Sequence, residues 1–143
     1  GAVNQALLDA DMRKYGTMIC LLFSPAASLL QWSYAGHTPR PVLWLPGQTP
    51  QLLEGQGQPV GVFADALYVN QQLQLPASFA LCLCSDGILD ALPGDDLVSR
   101  EAALLEQVQT AGGRFSALAQ ALLVPDAQPD DRSIFVISRS VDE

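Results

Sequence analysis

The stretch Phe79-Ala80-Leu81-Cys82-Leu83-Cys84-Ser85-Asp86-Gly87 decides the reading of this chain. Its first six residues are a strand-length apolar run that belongs inside a sheet. The run closes on an aspartate followed at once by glycine. A carboxylate there is poorly placed for packing and well placed to hold a cation at a strand end. A second acidic pair, Asp130-Asp131, opens another apolar run, Ser133-Ile134-Phe135-Val136-Ile137-Ser138. If the two runs are neighbouring strands, their acids meet at one sheet end and need a counter-charge. The sole lysine, Lys14, is far away in sequence, and a hard divalent metal held by oxygen ligands fills the role.

Upstream of this run, the patterning alternates between strands and turns. Residues 3–13 read as a helix with Val3, Leu7, Leu8 and Met12 on one face. Thr17 to Phe23 is a wholly apolar strand. It turns at Ser24-Pro25-Ala26-Ala27 into an alternating partner, Leu29 to Ala35. Pro41 to Leu45 is a third strand, assigned to a sheet edge by Pro39 and Pro41. Residues 46–59, rich in Gly, Gln and Pro, read as a surface connection, and Ala66 to Leu75 alternates again. Downstream the period lengthens: Leu97 to Thr110 and Phe115 to Leu123 fit helices, parted by Gly112-Gly113. Asp95-Asp96, Ser99 and Ser116 are candidate caps near the helix starts. Asp126 to Pro129 is a turn into the last strand. Strands, then two helices, then a strand favour an α+β layered domain with a mostly antiparallel sheet.

Composition bounds the function. A chain of 143 residues, 49% apolar and 15% charged, reads as one folded domain spanning residues 1–143. Its net charge of −8, with seven basic residues scattered singly, argues against a nucleic-acid footprint and against an electrostatic membrane anchor. No apolar run approaches the ~20 residues of a membrane-spanning helix, and no secretion signal is evident. Cys20, Cys82 and Cys84 lie in apolar runs and read as buried free thiols of a cytoplasmic protein. The serines lack the His and acid partners of a triad, and no glycine-rich phosphate loop occurs. His37, the one histidine, reads as a loop-fixing residue. Asp90 reads as a solvated first-turn acid, although an i,i+4 pairing with Asp86 is open.

Five motifs fall in order along the chain: Gly16-Thr17-Met18; Tyr34-Ala35-Gly36-His37-Thr38-Pro39; Gly57-Gln58-Pro59-Val60-Gly61-Val62; Cys84-Ser85-Asp86-Gly87-Ile88-Leu89-Asp90-Ala91; and Asp130-Asp131-Arg132-Ser133. Singly they are weak. As a spaced series from about Asn4 to Arg139 the chain resembles the metal-dependent protein phosphatases of type 2C, in particular the bacterial SpoIIE/RsbU branch. The resemblance implies an antiparallel β-sandwich flanked by helices with a dinuclear Mn²⁺ or Mg²⁺ centre at one end. It implies hydrolysis of phosphoserine or phosphothreonine on a protein, often a small antagonist of an anti-sigma factor. It further implies a place in sigma-factor or stress signalling, with an upstream receiver or sensor domain as in RssB-type response regulators.

Under this resemblance Asp86 and Asp130 are metal ligands, Gly87 lets the chain turn beside the ligand, and Asp131 is a supporting neighbour. No catalytic group beyond the metal ligands and no organic cofactor is implied. The Asp-Val-Ser-Gly-His-Gly-like stretch that opens complete members has no counterpart here. The chain therefore reads as an N-terminally incomplete, C-terminal portion of the phosphatase-like domain, inactive by itself. A homodimer covering an exposed sheet edge is a further expectation. The rival reading is a catalytically inactive pseudophosphatase that binds a protein partner. Against it stands the retention of both acidic strand ends.

Overall fold

The computed structural model describes residues 1–10, 14–123 and 131–140. In chain order the elements are α1 (Ala2–Asp9), β1 (Met18–Ser24), β2 (Leu29–Ala35), β3 (Val42–Trp44), β4 (Gln51–Leu52), β5 (Gln71–Gln74) and β6 (Phe79–Cys84). A 3-10 helix (Asp86–Ala91), α2 (Leu97–Ala111), α3 (Phe115–Leu122) and β7 (Ile134–Arg139) follow. Two antiparallel sheets with several helices result, the expected α+β class. The chain forms two compact units, Gly1–His37 with Glu54–Pro76, and Thr38–Leu53 with Ala77–Glu143.

The first unit carries the sheet β1-β2-β5. β1 and β2 form the expected hairpin, in register from Met18 opposite Ala35 to Ser24 opposite Leu29. On β2, alternate residues Leu30, Trp32 and Tyr34 are buried, as a sheet with one covered face requires. The Trp32 indole N–H donates to the Glu54 carbonyl at 2.8 Å, so its polar atom is satisfied. β1 is wholly apolar in sequence, yet Met18, Cys20 and Leu22 are exposed, and the buried thiol expected at Cys20 is not found. The reason is position: β1 is an edge strand whose side chains alternate between a covered face and solvent.

The expected apolar face of the first helix is also corrected. Val3 is exposed, Leu7 and Leu8 are half-buried, and Met12 lies outside the described residues. The buried residue is Asn4, at 3% exposure. Its amide donates to the Phe63 carbonyl at 3.0 Å, and its Oδ1 accepts from the Gly61 N–H at 2.7 Å and the Tyr68 hydroxyl at 3.3 Å. A buried amide is tolerable because its bonding capacity is used.

The second unit carries the sheet β4-β3-β6-β7. β6 is central, as its apolar run implies, with Val42 opposite Cys82 on one side and Cys84 opposite Ile134 on the other. β3 is not the expected edge strand; it lies between β4 and β6. Pro39 and Pro41 precede its first paired residue, so no ladder bond is lost, and the Pro41 carbonyl accepts from the Leu53 N–H at 2.8 Å. The two-residue β4 lies within the stretch expected to be a plain connection.

Helices α2 and α3 pack on one sheet face, where Val42, Cys82 and Cys84 meet Leu104, Val108 and Leu118. Asp96 caps α2 through a capping box: its carboxylate accepts from the Ser99 N–H at 2.8 Å and Ser99 reaches back to the Asp96 N–H. Gly112 ends α2 in the left-handed conformation, φ 54°. Ser116 is not a cap; α3 starts from Arg114 without a side-chain cap. Trp44 meets Phe115 edge to face at 6.2 Å between ring centres. No helix among the described residues is long and apolar enough to cross a membrane.

Candidate metal centre

The two strand ends singled out by sequence are adjacent. β6 and β7 pair along their length, and the last pair, Cys84 with Ile134, leaves Ser85-Asp86-Gly87 facing the residues that lead into β7. Ser85 makes the junction. Its N–H donates to the Ser133 carbonyl at 2.9 Å, its Oγ accepts from the Ser133 N–H at 2.8 Å, and its hydroxyl donates to the Asp131 carbonyl at 3.2 Å. The ladder thus runs one residue past the strands, closed by a side chain. The sequence reading gave Ser85 no role. The signal for it was the serine standing before Asp86.

Gly87 is buried, and its requirement is space rather than an unusual φ. A Cβ placed on it would lie 2.5 Å from the Asp131 carbonyl oxygen, closer than carbon and backbone oxygen can approach. The glycine therefore admits the head of β7 against the start of the 3-10 helix. Asp86 opens that helix. Its side chain is exposed, and one carboxylate oxygen accepts from the Gly87 N–H at 3.1 Å. Asp131 is exposed beside it. Asp130, the other expected ligand, lies outside the described residues.

Asp90 does not share a site with Asp86. Its carboxylate takes the Arg100 Nη1 at 3.1 Å, while Arg100 Nε donates to the Gly94 carbonyl at 3.0 Å. At the same sheet end, the chain entering β3 is pinned by Glu101 of α2. Glu101 is 2% exposed, and its carboxylate accepts from the Arg40 N–H at 2.8 Å, from Nε and from Nη2. Neither ion pair was legible in sequence, because each joins residues brought together by packing.

On β6, the thiols of Cys82 and Cys84 lie 4.0 Å apart on one strand face. The hydrogen bond between them and then burial push the Cys84 thiol well above its ordinary value, so it stays protonated at neutral pH. Such a thiol is no ligand for a hard cation. His37 is half-buried in the first unit.

The fit to a divalent cation can be judged on donors. At this strand end they are oxygens: the exposed carboxylates of Asp86 and Asp131 and nearby backbone carbonyls, the class that Mg²⁺ and Mn²⁺ take. The cradle at Gly87 is one a Cβ would fill. In kind, the residues fit. Among the described residues, which do not include Asp130, no three His, Cys, Asp or Glu side chains form a metal-holding group.

A sequence profile of the family Stage II sporulation protein E (SpoIIE) matches residues 1–140. Among curated proteins no sequence matches. The crystal structure of the RsbU and RsbW domains of a Mycobacterium tuberculosis protein is similar to this chain with TM-score 0.72 and 21% identity. The match covers 96% of this chain and 40% of that one. The phosphatase domain of the cell-fate determinant SpoIIE from Bacillus subtilis, presoaked with Mn, matches with TM-score 0.63 and 12% identity, over 99% of this chain and 74% of that one. A form of the same domain without domain swapping matches with TM-score 0.60 and 14% identity. At these identities the structures share the fold, and the profile supplies the family: the chain belongs to the SpoIIE family, the SpoIIE/RsbU branch of type 2C phosphatase-like domains.

Proposed function

We propose that this chain forms part of a metal-dependent phosphoprotein phosphatase that hydrolyses phosphoserine or phosphothreonine, in a bacterial pathway of the sigma-factor or stress-response kind. The observation that carries the reading is the meeting of Asp86 with the head of β7, closed by Ser85 and spaced by Gly87. Family membership supports it. Asp86, Asp130 and Asp131 would hold Mn²⁺ or Mg²⁺, with Asp130 and Asp86 as direct ligands and Asp131 supporting. A bound divalent cation supplies charge stabilisation of phosphoryl oxygens and a more acidic water.

The chain's own contribution is to position. Ser85 fixes the spacing of the two strand ends. Gly87 keeps side-chain bulk out of the cradle. Asp86 presents an exposed carboxylate whose second oxygen remains available beside its bond to the Gly87 N–H. Residues 1–143 alone are expected to show little activity. The partners that fit are a phosphorylated anti-sigma-factor antagonist as substrate and a receiver or sensor domain as the regulating element.

The test is Mn²⁺-dependent release of p-nitrophenol from p-nitrophenyl phosphate by the full-length protein, followed by a panel of phosphoserine, phosphothreonine and phosphotyrosine peptides. Asp86→Ala is expected to lower the rate by about 10²-fold or more while leaving the fold intact. An unchanged rate in that variant removes Asp86 from the mechanism. The rival reading is a catalytically inactive pseudophosphatase. It predicts an inactive wild-type protein that binds no Mn²⁺ and retains a protein partner.

A further inference from the structure

The chain between β4 and β5 encloses a cleft that plays no part in the metal centre. Its volume is about 710 Å³. Residues 56–58 form one wall, and Phe63, Asp65, Leu67 and Val69 form the other. Both walls belong to the first compact unit.

Each wall is pinned. The Gly57 carbonyl accepts from the Gly36 N–H at 2.8 Å, and a Cβ on Gly57 would run into the Tyr34 carbonyl oxygen. The near wall therefore lies close against the end of β2. On the far side, the buried Asn4 bonds the Gly61 N–H, the Phe63 carbonyl and the Tyr68 hydroxyl. The Ala66 N–H donates to the same Phe63 carbonyl at 3.3 Å, which closes a turn. With Tyr68 half-buried on its bond to Asn4, its neighbours stand in solvent: Leu67 is 87% exposed and Val69 60%. Phe63 is exposed as well. Three apolar side chains held in water along one wall make a contiguous surface, unlike single exposed residues scattered over a protein.

We propose that this cleft is a docking site for a cationic segment of a partner protein, with apolar side chains that cover Phe63, Leu67 and Val69 and an arginine or lysine that meets Asp65. Size favours a polypeptide. A small molecule seated between the walls leaves the tip of Leu67 in water, whereas a chain laid across the wall covers it. Charge fixes the sign. Asp65 is the one charged residue among those lining the cleft, and no Lys, Arg or His occurs from Pro41 to Ser99. A second copy of a chain carrying −8 is repelled, and a basic segment is attracted. Gln56 and Gln58 supply amide donors and acceptors for the main chain of the bound segment. The inference stands on the first unit alone and is independent of the phosphatase reading.

The experiment selects a random library of short peptides, displayed on phage, on the full-length protein. The expected consensus combines apolar residues with an arginine or lysine. The consensus peptide is then synthesised, and its affinity for wild type, Leu67→Ser and Asp65→Lys is read by fluorescence anisotropy, with thermal unfolding as the control on fold. Leu67→Ser is expected to weaken binding about tenfold or more without lowering Tm. Asp65→Lys is expected to weaken the basic peptide and to prefer a version carrying glutamate in its place, and wild-type affinity is expected to fall with added salt. Equal affinity for all three folded proteins overturns the proposal, as does an acidic or uncharged consensus, or the selection of no peptide. Light scattering and sedimentation with phosphatidylcholine vesicles read the rival occupants. A wild-type dimer, or vesicle binding, that is lost in Leu67→Ser assigns the cleft to a second copy or to lipid and overturns the peptide assignment.

Discussion

In the unit built on β6 and β7, helices α2 and α3 cover a sheet face, and Val42, Cys82, Leu104 and Val108 are at most 1% exposed. In the unit built on β1 and β2, Leu22 is 63% exposed and Leu67 87% exposed, although its sequence is as apolar. Leu30, Trp32 and Tyr34 of β2 are nonetheless buried, so apolar content alone does not say which face of a sheet is covered; what packs on it does. The carboxylate of interest stands at the end of the sheet that α2 and α3 cover. Its strand end is fixed by a register running from Phe79 to Cys84, by Ser85 and by two arginine staples. A metal-binding group needs this kind of support, since small displacements of a ligand change its coordination.

Mutation breaks or sharpens the contrast most strongly through burial. Leu104→Ala in α2 removes a side chain that is 1% exposed, and is expected to cost about 2–5 kcal/mol by loss of burial and creation of a cavity. Leu22→Ala on the open face of β1 is expected to change stability by no more than about 0.5 kcal/mol. Denaturant unfolding of the two variants checks both, and similar losses would show that β1 is covered in solution.

Thiol chemistry gives the next contrast. Cys20 is exposed, whereas Cys82 and Cys84 are buried and Cys84 is held protonated. One thiol is expected to react promptly with an aromatic disulfide reagent in the folded protein, and two only on opening of the second unit. Three thiols reacting at one rate would contradict the packing of β6.

The smallest expected effect concerns the start of α2. The Ser99 N–H and hydroxyl hold the Asp96 carboxyl below its ordinary value, so Asp96 adds stability above the carboxylate range and loses that share as pH falls through its lowered folded value. Asp96→Asn keeps a capping oxygen but no titrating group. The gap between wild type and variant is expected to narrow below about pH 4. A gap that is constant with pH would remove the ionised cap from the account.

Much of the second unit was legible in sequence because its signals are local. The Phe79–Cys84 run, the Ile134–Arg139 run and the helical period of Leu97–Ala111 each announce an element within a few residues. The Asp86-Gly87 end was legible for the same reason. What was not legible depends on partners distant in sequence. β3 became internal because β4 pairs with it. Cys20 is exposed because it shares the open face of β1 with Met18 and Leu22. Asn4 is buried because Phe63, Gly61 and Tyr68 come to it. Glu101 looked like any helix acid until Arg40 met it. Gly87 was marked as a turn residue, whereas the structure assigns its need to the Asp131 carbonyl.

The central claim is that a divalent cation sits where the end of β6 meets the head of β7. The direct measurement is a crystal of the full-length protein soaked in Mn²⁺, with diffraction recorded at the manganese absorption edge. The account predicts an anomalous peak bonded to an Asp86 carboxylate oxygen. Manganese bound elsewhere in the crystal, with no peak at Asp86, would contradict it.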